Sequence, residues 1–397
     1  MKPPSKKPLI DGIDRRDALL FTALASALAL AGCGGGSDGS SNVAGVTSGG
    51  TGSFSTGAIT GFGSIIVGAI RFDDSKASSI LDVDDDNTDL RGQLRLGMVV
   101  RVKGKPKTGT SADAETIEVR SELLGPVSRI DATTLTVLGQ TVKVTATTFL
   151  DEGLAGLASL TANDIVEVHG FVDSVNNVIT ATRIERKTLA GVKAFKLQGT
   201  VRALTATTFQ IEDLVISFAA GIDVPSSLVL TNVLVVRVRL EATLNTGTRK
   251  AVKIRTAELE LQNRDEAKVE GTITAFTSIS QFSVNGLTVD ASGAEAPAGL
   301  KPGDRVEVEG KLVNGVLIAK KVELENEHDP LKFELHGTVG SLTATTFVVR
   351  GVTVDYSAAP QFSNGTASNL RDGVPVEVKG VVAAGGTQLR ATRIAFE

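Results

Sequence analysis

The chain has 397 residues, a formal net charge of −4 and 22% charged residues, with 42 glycines, no tryptophan and one tyrosine. That balance argues against nucleic acid as a partner, because a nucleic-acid binder needs a basic face to displace counterions from phosphates. A single cysteine, Cys33, excludes an internal disulfide.

Residues 1–32 read as an export signal. Lys2, Lys6, Lys7, Arg15 and Arg16 form its basic start, and Ala18 to Leu30 is an apolar run. At about 13 residues that run is shorter than the roughly 20 a spanning helix needs. It ends in Leu30-Ala31-Gly32-Cys33, which resembles the bacterial lipobox. The resemblance implies that Cys33 carries lipid and becomes the mature N-terminus, so the partner is a membrane reached through that lipid. Arg15-Arg16 also resembles a twin-arginine signal, with Ala18 where that pattern prefers phenylalanine; a plain basic start fits equally well. Gly34, rather than aspartate, beside the cysteine favours the outer over the inner membrane of a bacterial cell envelope.

Residues 33–56 are mostly Gly, Ser and Thr and read as a flexible tether. Gly35-Gly-Ser-Asp-Gly39 matches the nucleophile-elbow pattern of hydrolases, but that motif needs a strand before it and a helix after it. Neither flank supplies one.

From residue 57 onward one phrase organises the chain. Gly303-Asp-Arg-Val-Glu-Val-Glu-Gly310 alternates valine with glutamate, the period-two pattern of a strand with one buried face. It recurs as Met98-Val-Val-Arg-Val-Lys-Gly104, Asp164-Ile-Val-Glu-Val-His-Gly170 and Val374-Pro-Val-Glu-Val-Lys-Gly380. A degraded copy, Val235-Val-Arg-Val-Arg-Leu240, has leucine in place of the last glycine. The copies stand roughly 66–70 residues apart, a period that signals a tandem array. Five units follow, over residues 57–122, 123–190, 191–262, 263–328 and 329–397.

Each unit has the same plan. A first strand such as Gly199-Thr-Val-Arg-Ala203 leads through a Thr-rich turn to a second, and Leu204 to Phe209 is identical to Leu342 to Phe347. Asn285-Gly286 and Asn314-Gly315 are two-residue hairpin signals in unit four. A variable stretch follows the third strand, with room for one helical turn, and precedes the organising fourth strand and a fifth. All-β units of this strand count and spacing point to a tandem array of about five small OB-like β-barrels. A small β-sandwich or an SH3-like barrel also fits. Short charged links, such as Gln262-Asn-Arg-Asp-Glu266, suggest a semi-rigid rod.

Gly199-Thr-Val-Arg-Ala203, Val352-Thr-Val-Asp355, Gly303 to Gly310 and Ala181-Thr-Arg-Ile-Glu185 together resemble an uncharacterised domain repeated in exported bacterial lipoproteins. The resemblance is sharpest in units four and five and weakest in unit three. It implies a fold and an address but no activity.

Candidate chemistry is sparse. Asp82, Asp84 and Asp86 alternate as calcium-loop ligands do, but Asn87 replaces the loop glycine and Gln93 the bidentate glutamate, so a solvated acidic loop is the expectation. Asp73, Asp290 and Asp355 end third strands, one per unit, and read as turn carboxylates. His169 is placed on the outward face of its strand, while His328, Asp329 and His336 could gather at the junction of units four and five. No spacing suits a structural zinc site. Phe209, Phe282 and Phe347 fall at inward positions and read as core rather than ligand platforms. The sequence thus indicates a non-enzymatic structural or protein-interaction module, with no cofactor and an envelope protein as the expected further partner. The alternative is a small-ligand or glycan-binding lipoprotein using a loop of one barrel.

Overall fold

The computed structural model describes residues 53–397, apart from 83, 85–86, 108–109, 152, 174, 220–221, 226–227, 245–246, 257–261 and 326–331. Among the described residues the regular structure is β-strand, with four 3-10 turns and no α-helix. The signal, Cys33, Gly35 to Gly39, His328 and Asp329 lie outside the described residues.

Unit four shows how one repeat closes. Its strands are Arg264–Ser278, Gln281–Val284, Leu287–Asp290, Arg305–Val313 and Val316–Leu324. The first three pair antiparallel in sequence, Ile273 opposite Val284 and Phe282 opposite Val289. Asn285 and Gly286 sit at φ 49° and 80°, and Asn314 and Gly315 at 51° and 80°, so both hairpins turn through residues that tolerate the left-handed region. The third strand pairs parallel with the fifth, Val289 opposite Leu317. Val308 then joins both neighbours, Val322 on the fifth strand and Val269 on the first. The ring is closed in the order one, two, three, five, four, the OB arrangement.

The other four units repeat that circuit. Their strands run from Ser53–Phe62 to Ser111–Val119, Leu123–Ile130 to Val178–Lys187, Ala194–Thr200 to Arg249–Thr256, and Phe333–Thr338 to Leu389–Phe396. In units three and five the first and second strands meet through a single bridge, Arg202 with Gln210 and Gly340 with Val348. The identical Thr-rich strings fold identically: Thr205 Oγ1 accepts from the Thr208 N–H at 2.9 Å, and Thr343 Oγ1 from that of Thr346 at 2.9 Å. Single 3-10 turns at Asp74–Lys76, Leu157–Ser159 and Ala367–Asn369 occupy the variable stretches of units one, two and five.

The closing glycine of the organising phrase lies at a bulge in the fourth strand. A Cβ on Gly310 would stand 2.1 Å from the Ile318 carbonyl oxygen, closer than atoms can approach. Inward valines fill the barrel: Val306 and Val308 are both fully buried. Phe209, Phe282 and Phe347 are buried core residues.

The five barrels do not form a rod. Unit one's first strand pairs parallel with unit four, Ser53 opposite Glu266 through Thr56 opposite Val269, and with unit five at Gly61 opposite Glu334. It begins inside the stretch expected to be tether: Phe54 is buried in the core of unit four, and Ser53 and Ser55 are buried with it. Units two and three pair first strand to first strand, Leu197 opposite Leu123, and share one hydrophobic core. Units one and five share another, into which unit two inserts Phe149, edge-on to Phe333 at 4.8 Å between ring centres. The charged links are short, yet the contacts that fix the barrels are made by strand edges and outer faces, which overrides a linear reading.

Candidate functional site: a basic cleft where units one, two and three meet

The outer faces of strands one, four and five carry the charged half of the period-two pattern, and in four units that face is internally balanced. Lys268 bonds Glu307 at 2.8 Å and Glu309 at 2.7 Å in unit four. Lys379 lies 3.1 Å from Glu334 and 3.0 Å from Glu377 in unit five. Lys187 lies 3.0 Å from Glu167 and 2.6 Å from Glu185 in unit two. Arg101 bonds Glu118 at 3.0 Å in unit one.

Unit three is the exception. Where units two, four and five carry Glu167, Glu307 and Glu377, it has Arg237, as unit one has Arg101. But Arg101 has Glu118 of its own unit, whereas beside Arg237 the neighbouring outward positions hold Lys196 and Arg239. Its counter-charge comes from unit one. The Arg237 guanidinium donates from Nε to one Asp84 oxygen at 3.1 Å and from Nη2 to the other at 2.6 Å. It also donates to the Ser121 carbonyl at 2.6 Å and to Gln198 Oε1 at 2.5 Å. Lys196 bonds Asp82, and lies 3.3 Å from Glu167 of unit two. Burial pushes the Asp84 carboxyl up, but the charge and hydrogen bonds of Arg237 outweigh it and hold the carboxyl below its ordinary range.

The acidic run is therefore not a solvated loop at these positions. Asp82 is 8% exposed, and both carboxylates are taken up by cations of another barrel, which leaves them unavailable as a calcium pair. Asp86 lies outside the described residues.

Beside these pairs is a cavity of about 340 Å³. Among the described residues its walls carry six cationic side chains, Arg120, Lys196, Arg237, Arg239, Lys253 and Arg255, against the single carboxylate of Asp84. Arg255 is bonded to Asp223 at 2.6 Å. Arg120 is placed by its backbone N–H, which donates to the Val99 carbonyl at 3.0 Å, and its buried Nε has no hydrogen-bond partner. Burial, reinforced by the neighbouring charges of Arg237 and Arg101, lowers the Arg120 guanidinium to about 9. Neither Arg120 nor Arg237 stands out as a site residue in the sequence alone. The signal for Arg237 was there, in the arginine that replaces glutamate within the organising phrase.

The remaining candidates are structural. The Ser75, Ser292 and Ser357 N–H groups donate to Asp73, Asp290 and Asp355 at 3.2, 2.9 and 2.9 Å, as turn carboxylates accept them. His169 does face outward from its barrel, but unit one covers it: the ring is fully buried, and the Val99 N–H donates to Nδ1 at 3.3 Å. Burial pushes that imidazole below its ordinary range. His336 lies between Glu334 at 2.7 Å and Glu397 at 2.5 Å. Glu334, His336 and Glu377 are close enough to share a cation, but Lys379 already bridges the two carboxylates and Arg71 bonds Glu334.

Fold and site together define a multi-barrel β-protein whose outer faces bind one another. Three stretches of the chain, residues 125–185, 270–323 and 336–395, match the family model described as "Domain of unknown function (DUF5666)", in units two, four and five. No curated protein matches. Among solved structures, one described as "drosophila Unr CSD456" is 19% identical, covering 52% of this chain and 97% of that one, with a TM-score of 0.14.

Proposed function

We propose that this chain is a non-enzymatic structural or protein-interaction module of the bacterial cell envelope, anchored through lipid on Cys33 and favouring the outer membrane. The observation that carries it is the use of repeated barrel faces as docking surfaces: Asp82 and Asp84 of unit one engage Lys196 and Arg237 of unit three. The repetition of a domain of unknown function is consistent with such a role. The Leu30-Ala31-Gly32-Cys33 motif supplies the address. Among the described residues the cavity walls carry no aromatic ring on which a sugar would stack, so the glycan-binding alternative is not favoured.

Fractionation of cells expressing Cys33→Ser tests the anchor. Release from the membrane to the soluble fraction is expected, and a variant that still sediments with membranes sinks the lipoprotein reading. Crosslinking in intact cells tests the interaction role, with capture of a defined envelope protein, lost when an exposed barrel face is altered, as the expected result.

A further inference from the structure

We propose that the cleft among units one, two and three binds a multiply charged oxyanion of the diphosphate or phosphate-monoester class, with Arg120 as its principal contact. The argument starts from what each cation already holds. Arg237 has all its donor nitrogens engaged by Asp84, Ser121 and Gln198. Lys196 has Asp82 and Glu167, and Arg255 has Asp223. Arg120 shares the same cavity; its buried Nε has no hydrogen-bond partner, and among the described residues its guanidinium has no ion pair. A guanidinium nitrogen buried without an acceptor is costly, and the nearby charges of Arg237 and Arg101 add to that cost while those of Asp84 and Glu118 offset part of it.

The shape of the need identifies the ligand class. Guanidinium presents a planar fork that matches two oxygens of one phosphoryl group. A tetrahedral oxyanion has further oxygens to turn toward the rest of the lining, which includes Arg239 and Lys253, the latter 3.5 Å from Asp223. A cavity of about 340 Å³ holds a phosphoryl group with its substituent. A neutral sugar would leave the charge unanswered. The site does not depend on the lipid anchor or on any outside protein.

Calorimetric titration of the whole chain with sodium pyrophosphate at low salt tests the proposal. One-to-one binding is expected, weakened by added salt. Arg120→Met should weaken it by about ten-fold or more, the scale of a lost charged hydrogen-bond pair. Arg120→Lys should fall between, retaining charge but not the fork. Lys301→Met, at an exposed lysine of unit four, should leave it unchanged. No binding at millimolar pyrophosphate, equal affinity in Arg120→Met and wild type, or equally tight binding of citrate would each overturn the assignment. Thermal melts check the same point without ligand: Arg120→Met should melt at or above the wild type and gain nothing from pyrophosphate. A lower melting temperature for the unliganded variant would show that Arg120 is already satisfied in the free protein, and would equally overturn it.

Discussion

Asp84 and Arg237 stand 153 positions apart in the chain, yet meet through two side-by-side hydrogen bonds of 3.1 and 2.6 Å at a buried junction of barrels. Removing one partner of such a pair leaves the other charge uncompensated. Asp84→Ala should therefore destabilise the protein by about 3–5 kcal/mol, while Asp84→Leu combined with Arg237→Leu should recover much of the loss. Urea melts of the three proteins form the test. Equal losses for the single and double changes would mean that the pair does not couple the units.

The same pair sets an acid limit. The folded Asp84 carboxyl lies below its ordinary value of 3.8, so the unfolded chain takes up that proton first as pH falls. Its contribution is present above about pH 4 and is lost as pH drops through the lower, folded value. Asp84→Asn should flatten the fall in stability below pH 4. An unchanged acid profile would remove Asp84 from the account.

The organising strand of unit four offers a contrast between its two faces. Val308→Asp places an unpaired charge in a fully buried site, at a cost of several kcal/mol. Glu307→Gln should cost only about 1 kcal/mol, because Glu307 is partly exposed and loses one ion pair, to Lys268. Equal losses from the two changes, measured by thermal melting, would mean the strand register is wrong.

Gly310 and Leu240 occupy the same place in their units with opposite demands. Gly310→Leu forces a side chain against the Ile318 carbonyl and should unfold unit four. Leu240→Gly empties a fully buried position in the core of units two and three and should cost about 2–5 kcal/mol. If Gly310→Leu melts like the wild type, the bulge does not require glycine.

Unit five closes its own ring, so the fragment from Lys332 to Glu397 should give a β-type dichroism spectrum and a cooperative melt. Loss of Phe149 against Phe333, and of unit one's share of the core, should lower its melting temperature below that of the whole chain. A disordered or aggregated fragment would show that the barrels cannot fold singly.

Within each barrel the fold was legible. Alternation in Val306 to Glu309 gives the buried face, and the Asn-Gly pairs place the hairpins. Assembly of the barrels was not. Period-two patterning assigns a residue such as His169 to the outside of its own ring but is silent on whether a second ring covers that outside. Asp82 and Asp84 looked solvated for the same reason, since their partners are contributed by a unit more than a hundred residues away. Ser53 and Ser55 carry almost no hydrophobic signal, and only Phe54 hinted that the chain there was already part of a sheet.

The parallel pairing of unit one with unit four fixes an order of events during synthesis. The backbone of Ala58 waits for Glu270, 212 positions later, before the two can meet. Until then the strand beginning at Ser53 has one open edge, the kind that recruits strands from other molecules. Contacts of such long range also form slowly, since the loop must close before they stabilise anything. A chain terminated after unit three should therefore be soluble barrel by barrel but adhesive along Ser53 to Thr56, and the last two units act as the molecule's own protection against that fate.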